Sequence, residues 1–258
     1  MLILLPPSEG KTPATAGSPV DLAALSGPSL TRHRATVLRA LARASARRDA
    51  LTTLGVGPSL ADDVARNTRL DTEPAAPAAQ VYTGVLYAAA GLDDLSPAQA
   101  ELAAASVRTV SALWGAVSPA DAIPAYRLSM GTDLPGVGPL AASWRPLLEA
   151  VLAPRASGDV VVDCRSAAYL AAWKPAKGTD WVSVRVLREL DGKRSVVSHN
   201  AKHTRGVLTR HLLTREGAEP RSAEDLYKAA HELVGTSLLD ATLLEGKHGA
   251  ATLELVVA

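Results

Sequence analysis

The stretch Trp181-Val182-Ser183-Val184-Arg185-Val186-Leu187-Arg188-Glu189-Leu190, followed at once by Asp191-Gly192, decides the fold class. Strand signals fill Trp181 to Leu190 and return from Arg194 to His199, and the two residues between them tolerate positive φ, so this part of the chain reads as an antiparallel hairpin. Further strand signals lie at Leu2 to Leu5, Asp159 to Asp163 and Thr252 to Val257. Helical periodicity runs over Ser29 to Leu51, Leu60 to Arg66, Pro97 to Ala105, Pro139 to Leu152, Ala201 to Leu213 and Ala223 to Val234. Ser222 ahead of Ala223-Glu224-Asp225 reads as an N-cap with acidic residues in the first turn. Strands and helices are therefore mixed. The expectation is an α+β or mixed α/β fold, one domain over residues 1–258, with helices around one mixed sheet. No repeat or long linker interrupts it, and Glu73 to Ala79 reads as an exposed connection.

With 258 residues and 47% hydrophobic content, the chain can bury a large core without disulfides. The single cysteine, Cys164, has no intramolecular partner and fits a reducing compartment, which points to the cytoplasm. Met1 to Leu5 is too short for a membrane helix, lacks the basic region of a signal peptide and reads as a buried strand. A net charge of +1 excludes a globally basic nucleic-acid binder, so any such role rests on local charge. Two basic segments supply it. One holds Arg32, Arg34, Arg39, Arg43, Arg47 and Arg48 against Asp49, and the other holds Lys193, Arg194, Lys202, Arg205, Arg210 and Arg215 with His199, His203 and His211. The absence of phenylalanine and an aromatic content of 3% argue against a base-stacking single-strand binder.

Pro6-Pro7-Ser8-Glu9-Gly10-Lys11-Thr12 places a lysine-bearing polar loop after the first strand. It is not a Walker loop, because the first glycine of that motif would fall at Leu5, yet a lysine with exposed amides at a strand end suits an anion. Leu54-Gly55-Val56-Gly57-Pro58-Ser59 resembles a helix-hairpin-helix, in which glycines let the backbone approach a phosphate. Arg39, Arg43 and Arg47 are four apart, and on one helix face they would track a duplex backbone beside Gly55, Gly57 and Ser59. Leu134-Pro135-Gly136-Val137-Gly138-Pro139 fits the same pattern with no basic helix before it, so at least one of the two is expected to be only a turn. In Ser198 to Gly206, Lys202 and Arg205 are three apart on a first helical turn and suit one anionic group. No metal site is expected, since His199 and His203 lack a third ligand nearby. No Gly-x-Ser-x-Gly elbow is present, and Cys164 reads as a buried cysteine at a strand end, although Arg165 beside it is of the type that lowers a thiol pKa.

Taken in order, these stretches resemble the YaaA family. The resemblance rests on Pro6 to Thr12, Tyr82-Thr83-Gly84, Ser111 to Gly115, Tyr126-Arg127-Leu128-Ser129-Met130-Gly131, Trp144, and Ala201, Lys202, Arg205 and Gly206. It spans nearly the whole chain and is weakest in the carboxyl-terminal part. It implies a single-domain mixed α/β fold with a positively charged cleft, sequence-independent binding of double-stranded DNA through a helix-hairpin-helix, and protection from hydrogen peroxide linked to lowered free iron. The rival reading is an enzyme acting on a nucleotide or another phosphorylated small molecule, because packing alone does not require Ser8, Lys11, Tyr82, Thr83, Arg127, Lys202 and Arg205 to be polar. No cofactor is implied, and the reaction of such an enzyme is left open. Lys11, Lys202 and Arg205 are expected around one concave electropositive site with Tyr82 nearby, since binding groups in sheet-based folds gather where loops converge at strand ends.

Overall fold

The structure, a computed structural model, describes residues 1–196, 199–246 and 250–258, and for residues 199 and 200 the backbone alone. Among the described residues eight strands form one sheet: β1 (Leu2–Leu5), β2 (Val107–Ser111), β3 (Gly115–Val117), β4 (Val161–Asp163), β5 (Trp181–Leu190), β6 (Lys193–Val196), β7 (Asp240–Leu244) and β8 (Ala250–Val257). Their order is β7-β8-β5-β4-β1-β2-β3, with β6 paired to β5 off this path. β1 lies between β4 and β2, parallel to both, which explains its unbroken apolar sequence: a strand covered on both faces has no solvent side to make polar. β5 is parallel to β4 and β8, while β3, β6 and β7 pair antiparallel with β2, β5 and β8.

The hairpin forms as expected, and Asp191 and Gly192 turn it with φ of 51° and 72°. Its second strand is described over Lys193–Val196; residues 197 and 198 lie outside the described residues, and His199, expected in the strand, lies in a helix. Two of the sheet's central and edge strands, β2 and β3, and the strand β7 carry no strand assignment in the sequence reading.

Ten α-helices accompany the sheet among the described residues: α1 (Thr31–Ser45), α2 (Ala50–Leu54), α3 (Ala61–Arg66), α4 (Ala78–Val81), α5 (Val85–Ala90), α6 (Pro97–Ser106), α7 (Leu140–Ala156), α8 (Ala167–Leu170), α9 (His199–Thr214) and α10 (Ala223–His231). Ser222 caps α10 by accepting from the Asp225 amide at 3.1 Å. The expected exposed connection at Glu73 to Ala79 is instead largely half-buried, with Ala76–Pro77 paired antiparallel to Ala122–Ile123 before α4 begins. The core gathers β1, β2, β4 and β5 with Leu41, Trp114, Trp144, Leu148 and Leu208.

The helix expected from Ser29 to Leu51 breaks at Ser45, and residues 46–49 separate α1 from α2. Gly55, with φ of 65°, is the left-handed cap that ends α2, whereas Gly57 is extended with φ of −77°. The two helices flanking this turn have 5 and 6 residues, so the arginine-bearing helix does not run into it. Arg34 also leaves the basic face: it is fully buried and satisfies backbone carbonyls. Gly136-Val137-Gly138 is the tip of a small ladder pairing Asp133–Leu134 with Gly138–Pro139, beside the Arg43 guanidinium.

The chain leaves β1 toward β2 on one side, then returns to β4 on the other side and continues outward to β5 and β8. The loops after β1 and β4 therefore diverge at adjacent carboxyl ends. In open α/β sheets this topological switch point is where a crevice opens for a ligand.

Candidate functional site

A cleft of about 550 Å³ occupies that crevice. Its floor is the loop after β1, Pro6 to Lys11, and its far wall is Ser166, Ala168 and Tyr169 from the loop and short helix after β4. The rim comprises Leu54-Gly55-Val56, the start of α5, Arg127 to Ser129, and Lys202 and Arg205 of α9. Lys11, Arg127, Lys202 and Arg205 line it against one carboxylate, Glu9. A second cavity of about 490 Å³ at the opposite ends of β4 and β5 has Lys177 and Arg221 balanced by Asp159 and Asp180, and so has no such bias.

Lys11, Arg127 and Arg205 each donate to a backbone carbonyl. Arg205 donates from Nε and Nη2 to the Val184 carbonyl of β5 at 3.3 and 2.9 Å. Lys202, three residues earlier on α9, is exposed on the same helix face. Arg127 donates from Nη1 to the Glu9 carbonyl at 2.9 Å. Its main chain is fixed by buried Asn67, whose amide donates to the Arg127 carbonyl at 2.8 Å and accepts from the Arg127 N–H at 2.9 Å. Asn67 is a positioning residue absent from the sequence-derived set, because nothing around it in the chain marks it.

Lys11 is half-buried and donates from Nζ to the Ser8 carbonyl at 2.6 Å. The ammonium stands 4.4 Å from the Tyr126 ring centroid and 5.7 Å from that of Tyr82. Burial, then the charge of Arg127, pushes its pKa down to about 7, against the opposing pull of Asp63 and Glu9. A charge that folding disfavours sets a pH dependence. Below pH 7 Lys11 is protonated in both states and the folded protein bears the cost; from about 7 to 10.5 the folded state sheds the proton first and stability rises. Lys11→Met is therefore expected to raise the melting temperature relative to wild type most at about pH 6, with the gap narrowing toward about pH 10. Melting curves of both proteins across that range check this, and a gap independent of pH would contradict it.

Beneath Lys11 lies a chain of buried hydroxyls. Ser111 Oγ accepts from the Leu113 and Trp114 amides at 3.2 and 3.0 Å, which uses both its lone pairs. Its own proton is then donated to Tyr126 Oη at 2.6 Å, and the Tyr126 and Tyr82 hydroxyls share a hydrogen bond at 3.0 Å. Burial raises the pKa of both phenols, so they stay protonated. Tyr87 donates to the Pro6 carbonyl at 2.8 Å and lies 3.0 Å from Thr109 Oγ1. Through these contacts the polar residues of β2 and of the Tyr82 segment tie down the loop that carries Lys11.

The structure thus brings Ser8, Lys11, Arg127, Lys202, Arg205 and Gly55 to one cleft. Tyr82 is buried under Lys11, its main chain bridged to that of Lys11, and Thr83 backs the same loop by donating its amide to the Gly10 carbonyl at 3.3 Å. Arg39 and Arg43 are exposed on α1, outside the cleft lining. Arg47 lies beyond the end of α1 and pairs with Asp49 at 2.8 Å, so the three arginines do not share one helix face. Gly57 and Ser59 are exposed and do not line the cleft. Cys164 is buried, and burial, helped by the charge of Asp163 and opposed by that of Arg205, pushes its thiol up to about 12; Arg165 pairs with Asp163 at 2.6 Å. No helix of the described residues is long and apolar enough to cross a membrane.

A mixed, largely parallel sheet with a cation-lined crevice at its switch point defines the class of protein. The chain belongs to the family described as peroxide stress protein YaaA, whose model matches residues 1–232. Its relatives include a UPF0246 protein of Streptomyces coelicolor, 46% identical over 237 residues, with 90% of each chain covered. Another, from Corynebacterium efficiens, is 41% identical over 237 residues and covers 89% of this chain and 93% of its own.

Proposed function

We propose that this protein serves the peroxide-stress response by binding a phosphate-bearing small molecule, a nucleotide or phosphorylated metabolite, in the cleft at the carboxyl ends of β1 and β4. The observation that carries this reading is the cluster of Lys11, Arg127, Lys202 and Arg205 against Glu9 in a concavity of about 550 Å³. That volume suits a small ligand. Cations gathered without partners of opposite charge repel one another, and a bound anion relieves that cost.

A second reading, sequence-independent contact with double-stranded DNA that limits iron-dependent damage, is favoured by one further observation. Arg39 and Arg43 are exposed on α1, and the Gly55 turn that follows α2 forms part of the cleft rim. One titration series separates the two. Nucleoside phosphates and a blunt duplex are each added to the protein at several salt concentrations. The small-ligand reading expects stabilisation of about 2.7 kcal/mol at a hundredfold excess over the dissociation constant. The duplex reading expects affinity that falls steeply with salt, and an Arg39→Ala, Arg43→Ala variant whose slope is shallower by about 0.9 per lost phosphate contact. No response to any nucleoside phosphate or to inorganic phosphate would remove the first reading, and an unchanged slope would remove α1 from any DNA interface.

A further inference from the structure

We propose that Lys11 is a nucleophilic amine that condenses with the carbonyl group of a phosphorylated aldehyde or ketone held in this cleft. The inference rests on the phosphate-binding reading for the class of substrate, and on the surroundings of Lys11 for the chemistry.

Among the described residues Lys11 has no carboxylate within ion-pair distance, although it lines a cleft open to ligands. Its nitrogen is given a carbonyl oxygen, that of Ser8 at 2.6 Å, and the face of the Tyr126 ring. A neutral amine spends one N–H on each and keeps its lone pair, whereas an ammonium has a third N–H to satisfy. The charged groups around it divide the same way: Arg127 opposes the ammonium, and Asp63 and Glu9 favour it less strongly than burial and Arg127 disfavour it. With the pKa at about 7, about half of the amine is neutral at pH 7, a condition that activates lysines for carbonyl chemistry. The backbone carrying it is fixed by the bridge to Tyr82, and by the Thr12 amide donating to the Val81 carbonyl at 2.9 Å. Lys202 and Arg205 on α9 supply the phosphate seat, leaving Lys11 to meet the carbonyl carbon.

The step balances without any further reactant. The Nζ lone pair attacks the carbonyl carbon, the C=O electron pair moves to oxygen, and a proton passes from nitrogen to that oxygen to give a carbinolamine. Loss of the hydroxyl with the second nitrogen proton releases one water and leaves a C=N bond to Lys11.

The test is reductive trapping on the wild-type full chain. Protein is incubated at neutral pH with glyceraldehyde 3-phosphate or with glyceraldehyde, reduced with borohydride, digested and mapped by mass spectrometry. Lys11 is expected to carry the label at least about tenfold ahead of the exposed Lys174, Lys177, Lys193 and Lys228, and to react faster with the phosphorylated aldehyde. Arg205→Ala is expected to slow labelling of Lys11 by the phosphorylated aldehyde to about the rate that glyceraldehyde gives in wild type. Label spread evenly over the exposed lysines would overturn the nucleophile assignment, whatever phosphate binding shows. Selective labelling of Lys11 at equal rates by both aldehydes would overturn the phosphorylated substrate and count against the phosphate seat, while leaving the amine as assigned.

Discussion

Replacing Arg34 by alanine is expected to cost about 3 to 5 kcal/mol of stability, since several buried carbonyls would lose their charged donor at about 1 to 3 kcal/mol each. The side chain is completely buried in α1 and donates from Nε to the Trp114 carbonyl at 2.8 Å. From Nη2 it donates to the Ser26 and Ala116 carbonyls at 2.5 and 3.0 Å. It therefore joins the 25–27 loop, the first helix and the start of β3 around a single guanidinium. Alanine would leave these carbonyls facing a cavity with no donor, and lysine would restore the charge without the planar fork. Urea denaturation of Arg34→Ala and Arg34→Lys measures this. A loss below about 1 kcal/mol in both would show that the carbonyls find other partners.

Gly206→Ala carries a smaller but still large consequence, and here the sign is diagnostic. An alanine in place of glycine inside a helix ordinarily stabilises by about 0.5 to 1 kcal/mol. At position 206, however, α9 crosses α5 so closely that an added Cβ would press on the Leu86 carbonyl and come within 2.7 Å of Ala89 Cβ and 3.1 Å of the Ala90 amide. Backbone cannot step aside as a flexible side chain can, so the overpacking cost of about 1 to 3 kcal/mol should win. The helices pushed apart are those that bring Lys202 and Arg205, and the start of α5, to the cleft, so ligand response should fall with stability. A Gly206→Ala protein that melts at or above the wild-type temperature would refute this packing account.

These two residues also show what the sequence conveys. Arg34 belongs to a run that looks uniformly basic, and only the fold reveals that one of its arginines is a buried tie while Arg39 and Arg43 are surface charge. The strands that are easiest to read, β1 and β5, are apolar or rich in valine because they are buried. β2 is also inside the sheet but reads Val107-Arg108-Thr109-Val110-Ser111, since Thr109 and Ser111 serve the hydroxyl chain with Tyr87 and Tyr126 while Arg108 donates to the Ala104 and Val107 carbonyls. Local pattern cannot distinguish polarity directed at a buried network from polarity directed at water. The convergence of Lys11, Lys202 and Arg205 was legible as an expectation because each sits where a loop or helix meets a strand end. The part played by Asn67 beneath Arg127 was not, as its partners lie 60 residues away. The arginine-bearing helix was not legible as separate from the glycine turn for a related reason: the break at 46–49 and the pairing of Arg47 with Asp49 are set by contacts that the periodicity does not carry.

The claim that joins these observations is that the switch-point cleft is a phosphate site. The most direct measurement is the melting temperature of wild type and of a Lys202→Ala, Arg205→Ala variant as inorganic phosphate is added at constant ionic strength, with chloride as the matched control. The account predicts that phosphate raises the wild-type melting temperature beyond chloride, by up to about 2.7 kcal/mol of added stability at a hundred times the dissociation constant, and that the variant loses most of this response. An equal phosphate response in the two proteins, or none in wild type, would contradict it.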